Sequence, residues 1–235
     1  IPKMMASGQG VQKKKSRYTP RMLPFLLLCD ILVILAHVFL RDRLGFFDLD
    51  KEGNLVSLYS GAKLWVVATL VFVNAFILTR TRAPRTTRIA WILAGLGIAY
   101  IGLDDMMGVH ERIGFVLNNA LGTGGFYGES FNWLLYFSPF IVAALLVFGV
   151  LIRALWRDNR RAAWWFIAGT LMWAGSIGAE LLGRYMILQP AVNVIRYHRL
   201  IIIEEALELM GATALAMAMW YAVRSTVKRH LHVVV

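Results

Sequence analysis

The sequence predicts an all-α, polytopic membrane bundle of six transmembrane helices with both chain ends on the cytoplasmic side. Three observations lead there. Of the 235 residues, 58% are hydrophobic and 17% charged, less charge than a soluble domain of this length carries. The apolar residues form blocks of about 20, the length a helix needs to cross the hydrocarbon core. The basic residues gather in alternate connections between those blocks. An open sheet edge finds no hydrogen-bond partners in lipid, so the spanning elements are helices.

The first span is expected at 22–40. Basic residues Lys13, Lys14, Lys15 and Arg17 precede it, as in a signal peptide. The apolar run is too long for one and no small-x-small cleavage site follows, so it reads as a retained span. Cys29 lies within it and is the single cysteine, which leaves no intrachain disulfide. The next spans are expected at 62–78, 89–112, 133–156, 162–182 and 200–221. The organisation is then a basic tail at 1–21, a membrane domain at 22–223 and a short basic tail at 224–235. Small residues at helix-packing spacing, such as Ala174 with Gly178, Ala179 with Gly183, Ala212 with Ala216 and Ala214 with Ala218, draw the fifth and sixth spans together.

Charge sets the orientation. Segments 1–21, 80–88, 153–161 and 224–235 hold 17 of the 25 Lys and Arg. Such an excess marks the cytoplasmic face. Of the 14 acids, only Asp158 belongs to that side, and Asp30 sits inside the first span. The net charge of +11 therefore describes a basic inner face suited to anionic lipid, and points away from nucleic acid.

The acids are the chemical signal. Counted along their helices, Asp104, Asp105, His110, Glu111, Glu180, Glu204, Glu205, Glu208 and His37 fall in one layer, the outer third of the membrane. On a continuous third span Asp104 and Glu111 share a face, as do Glu204 and Glu208 on the sixth. Glu180 and Arg184 form an i,i+4 pair. Buried carboxylates cost about 2.5–3.5 kcal/mol each on insertion scales, so protons, basic partners or a cation must offset them. Nearby Arg112, Arg184, Arg196 and Arg199 are fewer than the acids. A divalent metal resolves the imbalance, with Asp104, His110, Glu111, Glu180, Glu204, Glu208 and His37 as ligands. This mix suits Fe, Mn or Zn ahead of Ca or Mg. Asp105 or Glu205 is then left as general base toward a membrane-associated substrate. Interfacial solvation with Arg pairing is the plainer reading of the same residues, and His37 alone reads as a hydrogen-bonded core histidine.

Other motifs carry less. Asp48 to Asn54 imitates the first half of a calcium loop, but Tyr59 occupies the twelfth position where the bidentate Glu belongs. The run 122–125 is Gly-rich without a phosphate-loop lysine. No His-Glu-x-x-His pattern is present. Two alternatives stand beside the metal reading. One is a non-catalytic accessory subunit of a larger membrane complex. The other is a proton- or cation-coupled transporter, which needs polar groups continuing across the bilayer. Only Asp30 and Asn74 supply them near mid-depth, and the inner halves of the spans hold no acids, which counts against a complete path.

Three segments resemble a family of uncharacterised bacterial multi-pass membrane proteins across about residues 22–222. They are Phe47-Asp48-Leu49-Asp50 with Glu52-Gly53-Asn54, Leu103-Asp104-Asp105 with His110-Glu111, and Glu204-Glu205 with Glu208, Met210 and Gly211. That pattern has Asp-Glu where this chain has Asp104-Asp105, which keeps a carboxylate. The resemblance implies a bacterial cytoplasmic membrane and supplies no activity or substrate.

Overall fold

Backbone amides inside a hydrocarbon layer are satisfied within helices or closed barrels, and the apolar runs here fold as helices. The computed structural model describes residues 21–41, 43–48, 53–81, 83–121, 132–187 and 193–230. Among these residues there are seven α-helices and no strand. All but residue 21 of the expected tail at 1–21, the centre of the calcium-like loop and the Gly-rich run at 122–125 lie outside the described residues.

Helix α1 (Met22–Leu40) has the expected bounds. The end at which it finishes is called the outer end below. After a short 3-10 turn at Gly45–Phe47, α2 (Leu55–Arg80) begins earlier than the expected residue 62. Its polar first turns, with Ser57, Tyr59 and Ser60, resemble a loop by composition. They are helical because Asn54 caps them. The Asn54 side chain accepts from the N–H of Val56 (2.8 Å) and Ser57 (3.1 Å), and Ser57 Oγ accepts from the Asn54 N–H (3.0 Å), a reciprocal capping box. Asn54 thus serves the helix, and its amide donates to the Asp48 carbonyl.

The expected third span divides. Helix α3 (Arg85–Met107) stops at Gly108, which takes the left-handed conformation (φ 60°, ψ 41°), and α4 (Val109–Leu121) starts anew. Glycine enters that region without a Cβ penalty. Asp104 secures the break. Its Oδ1 accepts the His110 N–H at 2.7 Å, satisfying a donor that the new helix leaves orphaned. At 13 residues, or about 20 Å, α4 is too short to span. Its exposed Phe115, Val116 and Leu121 suit an interfacial position.

Helix α5 (Asn132–Asp158) contains Pro139, and α6 (Arg160–Ile187) follows after Asn159. Asn159 Oδ1 accepts from the N–H of Arg161 (3.1 Å) and Ala162 (3.3 Å) and so caps α6. Helix α7 (Val194–His230) has 37 residues, about 56 Å. It therefore outruns the expected sixth span at both ends, and 224–230, expected as tail, is helical. Among the described residues five helices are long and apolar enough to cross a membrane: α1, α2, α3, α6 and the Leu134–Asp158 stretch of α5.

Helix α7 is the centre of the packing. Leu209, Ala212, Leu215, Met217 and Met219 are all buried. Helix α6 packs on α7 most extensively, α2 packs on α3 and α7, α5 joins α3 to α6, and α1 rests on α7. The expected α6–α7 pairing is present, and Ala179, Gly183, Ala212, Ala214, Ala216 and Ala218 are buried, while Gly169 and Gly211 make a further close approach that the expected pairs did not include. A Cβ on Gly169 meets the Gly211 carbonyl at 2.9 Å, and one on Gly211 runs into Trp173 Cδ1. Ala174 and Gly178 instead face outward, and nothing lies within 4 Å of a Cβ on Gly178. Large apolar side chains such as Phe39, Phe76, Phe140 and Leu146 are exposed, compatible with contact with lipid.

Candidate functional site

Helix α1 buries just two side chains, Asp30 and His37. Seven residues apart, they share one face, and that polar face is turned inward. His37 Nδ1 lies 3.1 Å from the Phe47 carbonyl, tying α1 to the 3-10 turn. Asp30 meets Lys63 of α2 at 2.6 Å, with side chains 1% and 5% exposed. By helical rise Lys63 lies about 12 Å below the outer end of α2 and Asp30 about 15 Å below that of α1. The two counts agree on depth. Lys63 thus lies well inside α2, because that helix starts at Leu55.

The pair is well supplied with hydrogen bonds. Lys63 Nζ also donates to the Leu209 carbonyl (2.7 Å) and Thr213 Oγ1 (3.2 Å), which uses all three ammonium protons. Asp30 Oδ1 accepts from Tyr59 (2.7 Å) and Oδ2 from Thr213 (2.6 Å). Three helices, α1, α2 and α7, thus meet on one ion pair. Helix α3 is held close at the same level, where a Cβ on Gly61 meets the Gly102 carbonyl at 2.5 Å. That approach delivers Asp105. Buried Ser60 hydrogen-bonds its carboxyl, Lys63 lies within its electrostatic reach, and its Oδ2 is buried without a hydrogen-bond partner among the described residues. Lys63 is thus bonded to one carboxylate, Asp30, and within electrostatic reach of a second, Asp105.

The outer acids are distributed differently from the single ligand layer the sequence suggested. Arg184 Nη2 bridges Glu180 (2.7 Å) and Glu111 (3.2 Å), so the expected i,i+4 pair forms and gains a third member from α4. Asp104 holds His110 through Nδ1 at 2.9 Å as well as through the backbone. Asp104 and Glu111 do not share a helical face, because Gly108 separates their helices. Glu208 accepts from Ser176 at 3.1 Å, and Glu204 and Glu205 lie one turn further out on α7. Among the described residues no three His, Cys, Asp or Glu side chains converge closely enough to hold a metal ion. Arg184 pairs two of these acids, Glu180 and Glu111, and Asp104 and Glu208 have hydrogen-bond partners in His110 and Ser176.

Sequence reasoning missed Lys63, Tyr59, Ser60 and Thr213. Their signal was an intramembrane Asp with no partner nearby in sequence, which calls for a basic residue on another helix.

A family model described as "Domain of unknown function (DUF8692)" matches residues 25–223. That segment contains Asp30, Lys63, Asp105 and Thr213. No curated protein matches the chain, and no solved structure does. By that match over most of its length, the chain belongs to the DUF8692 family.

Proposed function

We propose that this is a bacterial inner-membrane protein with six spans and both ends in the cytoplasm, acting as a proton carrier through the Asp30–Lys63–Asp105 centre. The sixth span is α7, whose buried middle is lined by the other helices. The basic residues at the α2–α3 and α5–α6 connections support the orientation. The observation that carries the functional reading is Asp105 Oδ2, a buried carboxyl oxygen without a hydrogen-bond partner among the described residues, within electrostatic reach of a lysine already matched by Asp30.

A charge buried this way is costly and is kept where it works. With Asp105 protonated, Lys63 is matched by Asp30 alone. With Asp105 ionised, two carboxylates compete for one ammonium, which weakens the hold of α2 on α1. Protonation of Asp105 is thereby tied to how α1 seats against α2 and α7. Toward the inner end, Asn74 on α2 is buried with an Oδ1 lacking a partner among the described residues, which supports a polar route beyond the centre. No comparable support attaches to Asp105 and Glu205 as general bases, or to a metal held by Asp104, His110, Glu111, Glu180, Glu204, Glu208 and His37.

Proton flux into proteoliposomes, followed with an entrapped pH dye under an imposed gradient, tests the proposal. Wild-type protein should carry protons and Asp105→Asn should not. Equal flux in both would remove Asp105 from the mechanism.

A further inference from the structure

The corner between α5 and α6 concentrates charge that the chain leaves largely unmatched. Arg153, Arg157, Arg160 and Arg161 fall within nine residues, with Asp158 the one acid among them. Asp158 Oδ1 is held by Arg229 from α7 at 2.9 Å and reached by Arg157 only at 3.5 Å. Arg161 stacks over the Tyr221 ring at 5.3 Å. Arg153, Arg157 and Arg160 are exposed. Arg153 and Arg157 are four apart on one face of α5, a like-charge spacing that destabilises a helix unless an anion lies between them.

The surroundings say which anion. Beside these arginines Trp156 and Trp164 pack edge to face at 5.2 Å between ring centroids, and both are exposed. Aromatic pairs of this kind sit at headgroup level. Above them α5 presents exposed Val150, Leu146, Leu145 and Val142, an apolar strip rising from the basic corner. A free phosphate would use the arginines and leave the strip idle, whereas a phospholipid uses both. We infer that the α5–α6 corner is a binding site for an anionic phospholipid, its headgroup phosphate held by Arg153, Arg157 and Arg160 and its acyl chains laid along α5. The inference rests on the membrane reading and is independent of the charge centre. Each arginine near an anionic headgroup favours occupancy by about fivefold.

Tryptophan quenching by brominated lipids tests it in vesicles of phosphatidylcholine doped with equal fractions of brominated phosphatidylglycerol or brominated phosphatidylcholine. The phosphatidylglycerol should quench about twofold more or better. The excess should vanish in W156F/W164F and in R153Q/R157Q/R160Q, and persist in R153K/R157K/R160K. Equal quenching by the two lipids, or an excess that survives in W156F/W164F or in the Gln variant, overturns the site. Should the Gln variant misfold, the Trp and Lys variants still decide. Reversal of the excess by millimolar inorganic phosphate would assign the corner to a soluble anion and overturn the lipid. Absence of quenching by either lipid would instead contradict the membrane reading itself.

Discussion

Lys63 donates to Asp30 across 2.6 Å between two helices, and both side chains are almost wholly buried. Thirty-three residues separate them in the chain. An isolated buried charge in such a place costs several kcal/mol, and mutual attraction recovers it only when every remaining hydrogen-bonding position is filled. Tyr59, Thr213 and the Leu209 carbonyl fill them here.

Removing one partner should therefore hurt more than removing both. Lys63→Met leaves Asp30 buried without its cation and should cost about 3–5 kcal/mol. Asp30→Leu combined with Lys63→Met should recover most of that loss. Thermal unfolding of the purified variants in one detergent checks the order. A double variant no more stable than the worse single one contradicts the pairing.

The α6–α7 contact depends on two glycines. Gly211→Ala drives a methyl into Trp173 and should destabilise by about 1–3 kcal/mol, as overpacking does. Gly169→Ala should act in the same direction against the Gly211 carbonyl. Gly178→Ala meets open space and should be neutral or slightly stabilising, since alanine favours helix. Melting temperatures of the three variants side by side check this.

At Gly108 the backbone conformation matters. Gly108→Ala should cost about 1 kcal/mol for a left-handed alanine. Asp104→Ala removes the cap of α4 and should cost about 0.5–2 kcal/mol. Asp104→Asn keeps an acceptor and should lose less. Limited proteolysis in the 109–121 segment should rise in the same order. Equal cleavage across the series would show that the cap does not hold α4.

Arg184 is the shared counter-charge of Glu180 and Glu111. Arg184→Gln leaves the two carboxylates facing each other and should destabilise by about 1–3 kcal/mol. Adding Glu111→Gln should restore part of the loss. Failure of the second substitution to rescue the first would place Glu111 outside the pairing.

The helices were legible because apolar blocks are long, and length alone separates a membrane helix from a core strand. Glu180 with Arg184 was legible because i,i+4 spacing is a local rule. Three features were not. The start of α2 is polar, and only the reciprocal Asn54–Ser57 bonds reveal it as helix, so the depth of Lys63 could not be counted from the sequence. Gly108 interrupts a pattern that otherwise runs through, since periodicity carries no information about one residue's φ. The Glu111–Arg184 and Asp30–Lys63 contacts join residues far apart in sequence. Counting charges by depth showed an excess of acid without showing which base answers each one.

The centre can be a packing device or a working site, and Asp30→Leu with Lys63→Met separates these. That variant should fold, because apolar side chains replace a buried ion pair. Its proton flux in proteoliposomes is the decisive measurement. Flux at the background of empty vesicles in a variant that melts near wild type is the result predicted here. Wild-type flux in the same variant would contradict it and reduce the pair to a structural contact.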